Sequence, residues 1–262
     1  MILVPLLLAT GIAVPYVLLP VLWAIPVSFV GVLSVSAWTS LRQRPDPRSE
    51  PQTLRLPVTG RWRALNTPAT RVPSHGTHFL AQSYAFDLVG AEDRPTRPLL
   101  RRVFGLDHPG SYPAFGRAVV APAMGTVMKT ADWSRDHRGR DSALGLILWF
   151  VEQMARTFTG MRGLVGNYLV IEIGEGVFVM CAHLKQGSID VCAGDVVDAG
   201  QVIALCGNSG NSTEPHLHFQ VMDNADPWKA RGLPVIFSGY RTEGDAAETI
   251  GVPVRGETVR PG

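Results

Sequence analysis

Two histidines stand one residue apart in STEPHLHFQV, Ser212 to Val221, in a chain with seven histidines in 262 residues. If PHLHFQV is a strand, His216 and His218 project from one face while Leu217 and Phe219 turn to the core. Such a pair can present one imidazole to a metal ion with the other beside it; polar residues alternating along a surface strand give the same pattern. A second constellation lies upstream in VPSHGTHFLAQSYAFDLVG, with His75, His78 and Asp87. Tyr84, Phe86 and Leu88 share one face of the expected strand SYAFDLV, so Asp87 faces the other way. An acid in an otherwise apolar strand costs several kcal/mol unless it is paired or bound to a metal. Two imidazoles and one carboxylate make a three-ligand set that leaves a fourth position for water, as catalytic zinc requires. A further histidine, His183, ends another expected strand in CAHL.

The segments that would position these groups read mostly as strands. GRAVVAPAMGTVMKT alternates and is punctuated by glycine, GNYLVIEIGEGVFVMCAHL reads as two strands about a GEG turn, and DVVDAGQVIALCGNSG carries a turn at Asp198 to Gly200. Short strands at this spacing predict an antiparallel sheet, sandwich or barrel-like. One stretch breaks the pattern. Asp141 to Phe158 is long and apolar enough for a helix, with Asp141 or Ser142 as its N-cap. From about Asp226 a closing strand is expected, followed by a flexible tail over 241–262.

The order GNSGNSTEPHLHFQV, with the SHG and YAFDLV pieces, GNYLVIEIGEG, CAHL and AGDVVDAGQVIALCG, resembles the lysostaphin-type (LytM-like) zinc metallopeptidase family, whose fold is the duplicated hybrid motif. The likeness runs from Ser74 to Asp226, interrupted between Ala131 and Leu164. It implies an antiparallel β metallopeptidase core over 54–240 with a helical insertion at about 131–164. It further implies that His75, Asp87 and His218 bind Zn2+, with His78 in reserve as the upstream ligand. His75 is preferred because similar sequences carry PSHG before a YAxD strand. His183 and His216 would then be the catalytic pair, one of them taking a proton from a water whose pKa zinc lowers toward about 7. The implied substrate is a peptide bond of peptidoglycan, and the implied alternative for the same fold is an inactive binding or activator module for cell-wall hydrolases.

From Met1 to Leu41 there is no Asp, Glu, Lys or Arg, which reads as a transmembrane segment of one or two spans, with Pro15 and Pro20 marking a possible turn. Residues 42–53 read as a linker. The implied placement is the cell membrane with the catalytic domain on the extracytoplasmic side, although Arg42, Arg44 and Arg48 form a small positive flank that argues for the cytoplasmic side. With 24 basic and 22 acidic residues the chain has a net charge of +2 and no polycationic face for nucleic acid. Three cysteines without a CxxC pair exclude a cysteine-based zinc site and allow at most one disulfide. His108 and His137 read as exposed loop residues. The apolar insertion helix either packs on the sheet, touches the membrane, or walls the site.

Overall fold

A computed structural model describes residues 31, 34, 35, 37–93, 97–157, 159–245 and 247–262. The chain divides into two compact units, Met1–Arg42 and Gln43–Gly262. In the first, residues 37–42 are helical. The membrane segment expected over 1–41 lies almost wholly outside the described residues, among which no helix is long and apolar enough to cross a membrane.

The second unit begins with β1 (Gln52–Leu54), β2 (Trp62–Asn66), β3 (Phe86–Gly90), α1 (Leu99–Phe104), β4 (Ala118–Val120) and β5 (Gly125–Ala131). Then come α2 (Ala143–Thr157), α3 (Met161–Leu164), β6 (Asn167–Gly174), β7 (Val177–Leu184), β8 (Val196–Val197) and β9 (Val202–Leu205). β10 (Leu217–Met222), β11 (Val235–Thr242), β12 (Thr249–Gly251) and β13 (Thr258–Pro261) complete it. Among the described residues the strands form one large sheet in the order β1-β11-β13-β2-β3-β10-β7-β6-β5-β8, with β12 on β11, and a two-stranded sheet of β4 and β9. Pairing is antiparallel except between β1 and β11.

The period-2 pattern explains the central strands. Leu217, Phe219 and Val221 of β10 enter one core with Phe86 and Leu88 of β3, Leu169 and Ile171 of β6, and Phe237 of β11. Phe86 and Phe219 both meet the Phe237 ring, with centroids 4.9 and 5.8 Å away. A second core on the opposite face takes Val170, Met180, Ala182 and Met222. Strands covered on both faces are near-continuously apolar, so the two polar residues of β10 that remain buried, His218 and Gln220, stand out as chemistry.

Three expectations need correction. The described part of the tail over 241–262 holds two strands: β12 pairs with β11, and β13 bridges β11 and β2, partnerships that composition alone hides. The folded unit reaches into the linker expected over 42–53 at both ends, since the Gln43 amide donates to the Pro227 and Ala230 carbonyls and accepts from Leu80 N–H, and β1 starts at Gln52. The sheet also contains a parallel pair, β1 with β11. The insertion helix is present, and Ser142 caps it by accepting from Gly145 N–H at 3.0 Å.

No disulfide joins the cysteines. Cys181 and Cys206 are buried free thiols and Cys192 is exposed. Burial pushes the Cys181 thiol up to about 12 and raises that of Cys206 as well, so neither offers a thiolate near neutrality. Titration of the native protein with an aromatic disulfide reagent should therefore show one reactive thiol and, after denaturation, three. Two or more fast thiols in the native state would contradict this packing.

Candidate metal centre and active site

Asp87 sits on β3 directly opposite His218 on β10, and the antiparallel register turns both away from the Phe86 and Phe219 core. His75 reaches them from the loop before β3, a segment forced into left-handed backbone at Leu80 (φ 55°) and Ala81 (φ 64°). The Leu80 N–H donates to Gln43 and its carbonyl accepts from Gln220, which holds this costly conformation. The result is one carboxylate between two imidazoles: His75 Nε2 lies 2.9 Å from Asp87 Oδ2, and His218 Nδ1 lies 2.9 Å from Oδ1. One ligand atom from each of the three residues falls within 4.8 Å of the others.

The surrounding hydrogen bonds fix which nitrogen faces the carboxylate. The Ser74 hydroxyl donates to the Gln82 carbonyl, so it accepts from His75 Nδ1–H, at 3.1 and 2.9 Å. The Gln220 amide donates to the Leu80 carbonyl at 2.7 Å, which turns its oxygen to accept from His218 Nε2–H at 2.9 Å. In its neutral form each imidazole thus aims an unprotonated nitrogen at Asp87. Lone pairs facing carboxylate oxygens at 2.9 Å repel unless a cation, proton or metal, stands among them. The donor set therefore fits a divalent ion with a taste for nitrogen and oxygen.

His183 and His216 complete the cluster. The His183 ring centroid is 4.8 Å from that of His216 and 5.8 Å from that of His218, and His216 Nε2 is 3.6 Å from Asp87 Oδ1. His183 Nδ1–H donates to the Ser209 carbonyl and His216 Nδ1–H to the Glu214 carbonyl, at 2.9 and 2.7 Å. Each leaves Nε2 as its available nitrogen. His183 ends β7 with φ of 60°, its N–H donating to Val165 and its carbonyl accepting from Gly207. Burial and the neighbouring His216 and His218 hold its imidazole well below the usual range, so it is neutral at physiological pH.

The electrostatics of Asp87 and His218 oppose one another. Burial would raise the Asp87 carboxyl, but His75, His216 and His218 outweigh it and hold the group well below the usual carboxylate range. Burial would lower His218, yet its bond to Asp87 raises it. In the metal-free protein His218 therefore keeps a proton to a higher pH than a free imidazole, and a metal must displace that proton. Affinity should fall by about tenfold for each pH unit below the raised His218 value and level off above it. Metal titrations at several pH values check this; a flat profile between pH 5 and 8 would show that His218 is not displaced by the ion.

Several contributors escaped the sequence reading. Asn66, at the end of β2, donates to Asp87 Oδ2 at 2.6 Å, and no motif surrounds it. His137 is half-buried, not an exposed loop residue. Its Nε2 lies 3.0 Å from the Gly210 carbonyl, which ties the insertion to the loop before His216. Gly166 and Gly210 cross at that loop, both with positive φ, where a Cβ on Gly210 would come within 2.3 Å of the Gly166 nitrogen. His78 bonds to Ser83 Oγ through Nδ1 and does not join the three-residue cluster.

Gln220 touches no other member of the centre than His218, and its amide also braces the Leu80 turn that leads from His75 to β3. Gln220→Leu should weaken metal binding by about 10- to 100-fold, the usual effect of losing a partner that orients a ligand. Competition against a chromophoric chelator measures it. Unchanged affinity would mean that the Gln220 contact does not set the His218 tautomer.

The profile of peptidase family M23 matches residues 151–230, which contain His183, His216 and His218. Over that stretch the chain is similar to peptidase family M23. The chain is also similar to named enzymes. The chain is 39% identical over 71 residues to the DD-carboxypeptidase/endopeptidase Mpg of Neisseria meningitidis, covering 27% of this chain and 16% of that protein. It is 51% identical over 61 residues to the glycyl-glycine endopeptidase ALE-1 of Staphylococcus capitis, covering 23% and 16%. The chain thus spans less than a fifth of the length of these two relatives. The catalytic domain of lysostaphin from Staphylococcus simulans aligns with a TM-score of 0.35 at 19% identity, covering 66% of this chain and 88% of that one. His75 and Asp87 lie outside the matched M23 stretch, and it is the strand pairing of β3 with β10 that joins them to it.

Proposed function

We propose that this chain is a zinc-dependent endopeptidase that hydrolyses peptide bonds of peptidoglycan. The observation that carries the reading is the convergence of His75 Nε2 and His218 Nδ1 on one buried carboxylate, with two further imidazoles offering Nε2 beside it. His75 Nε2, the Asp87 carboxylate and His218 Nδ1 would hold the ion. Zinc in such a set supplies Lewis acidity toward the scissile carbonyl and makes water a nucleophile near neutral pH. The chain's own residues supply the rest. His183 or His216 takes the proton of the attacking water at Nε2 and delivers it to the leaving amine, while its Nδ1–H stays committed to a backbone carbonyl that fixes the ring. Neutral His183 suits a proton acceptor.

The relatives' names supply the substrate class. One is a DD-carboxypeptidase/endopeptidase, another a glycyl-glycine endopeptidase, and the Vibrio cholerae ShyA protein, 34% identical over 101 residues, is a peptidoglycan DD-endopeptidase. The uncharged run Met1–Leu41 supports anchoring at the cell membrane, and a peptidoglycan substrate supports an extracytoplasmic catalytic unit, against the small positive flank at Arg42. Digestion of purified peptidoglycan by the full chain in mild detergent, with and without chelator, tests the reading, and the released ends name the bond. Cleavage that stops with chelator and returns with zinc supports it. Bound zinc without cleavage would favour the alternative, an inactive binding or activator module.

A further inference from the structure

Helix α2 turns the wrong face to water for a soluble domain. Leu146, Ile147, Phe150 and Val151 recur at helical spacing on one side and are 49–66% exposed, while Ser142 and Gly145 on the opposite side are buried. Its acidic residue, Glu152, is engaged by Arg140 and Arg156 at 2.9 Å each. Helix α1 lies against α2 and adds Leu99, Leu100 and Phe104, 61–76% exposed. Two neighbouring helices therefore expose seven large apolar side chains, a density that marks an interaction surface.

The charges on the same helices identify the occupant. Arg101 and Arg102 of α1 are exposed beside the ridge, and with Arg156 against Glu152 the two helices carry three positive charges and one negative. We propose that the α1–α2 ridge seats in the surface of an anionic lipid bilayer, its apolar residues in the acyl boundary and Arg101 and Arg102 among the phosphates. A twofold pairing of the ridge with a second copy would instead bring Arg101 and Arg102 of both copies, four positive charges, to one interface. A lipid surface also has a source in the chain itself. Met1–Leu41 carries no charged residue and is the segment proposed above to anchor the chain in a membrane. The inference concerns orientation at the membrane and is independent of the peptidase reading.

A spin label decides it. Cys181 and Cys206 are buried, so a Cys192→Ser background leaves an introduced cysteine as the single reactive thiol. The full chain with Ile147→Cys, or with Glu175→Cys at the exposed β6–β7 turn as control, is labelled with a nitroxide and reconstituted into phosphatidylcholine vesicles containing a minority of phosphatidylglycerol. The collision ratio of oxygen to a polar nickel chelate should be several-fold higher at 147 than at 175, and should drop when Arg101 and Arg102 are both changed to Glu. Equal ratios at the two positions would overturn the proposal. Shielding of position 147 from both reagents would also overturn it, since protein and not lipid would then cover the ridge. Failure of the chain to associate with the vesicles would do the same.

Discussion

Asp87→Asn should abolish the zinc binding proposed for this centre. Asp87 is the one carboxylate that His75 and His218 share, each imidazole lying 2.9 Å from a different oxygen, so the change deletes the only anionic donor of the set while keeping its shape. The replacement amide also presents a donor where the imidazoles aim lone pairs, or an uncharged oxygen in place of a charged one. The loss should far exceed the roughly 10- to 100-fold typical of an orienting partner such as Gln220, and peptidoglycan cleavage should disappear with it. Calorimetric zinc titration of the folded variant checks this, with circular dichroism to confirm the fold. Retention of affinity within tenfold would mean that the ion is held elsewhere and that the three-residue centre is misassigned.

His216→Ala separates holding the metal from doing the chemistry. His216 shares a strand edge with His218, but its Nδ1–H is tied to Glu214 and its Nε2 stands 3.6 Å from Asp87, outside the set of mutually close ligand atoms. Zinc affinity should change little. Cleavage should fall by about 10²- to 10⁴-fold, the range expected when a positioned proton-transfer group is removed. The decisive measurement is the pair of numbers on one sample. A variant that loses zinc along with activity would move His216 into the ligand set, and one that keeps both would remove it from the mechanism.

Much of this centre is legible in the sequence because strands impose a period of two. PHLHFQV and YAFDLV both alternate, so the face carrying His216, His218 and Asp87 can be read without knowing which strands pair. The hydrophobic face that locates the core is read in the same way from Leu217, Phe219, Phe86 and Leu88. What alternation cannot supply is partnership across long separations. Asn66 touches Asp87 only because β2 lies beside β3, and nothing in WRALN announces it. The strands of the C-terminal tail are invisible for the same reason, since β13 exists as a strand through its pairing with β2 and β11. His183 in its left-handed conformation and the half-buried His137 belong to loops whose shape is set by Gly166 and Gly210 crossing, a tertiary fact. The exposed apolar side of α2 was open to three readings because a helix apolar nearly all round does not say which side meets the sheet.

The opposition of β3 and β10 also orders events during synthesis. Asp87 and His218 are 131 residues apart in the chain, so the ribosome needs roughly ten seconds to make the second after the first. Until β10 emerges, His75 and Asp87 form an incomplete site with no third donor. Once it emerges, the pairing that completes the metal centre is the same one that closes the central sheet. A growing chain therefore cannot bring these three donors together ahead of its fold, and an ion taken up by them would report that the two halves of the molecule have met.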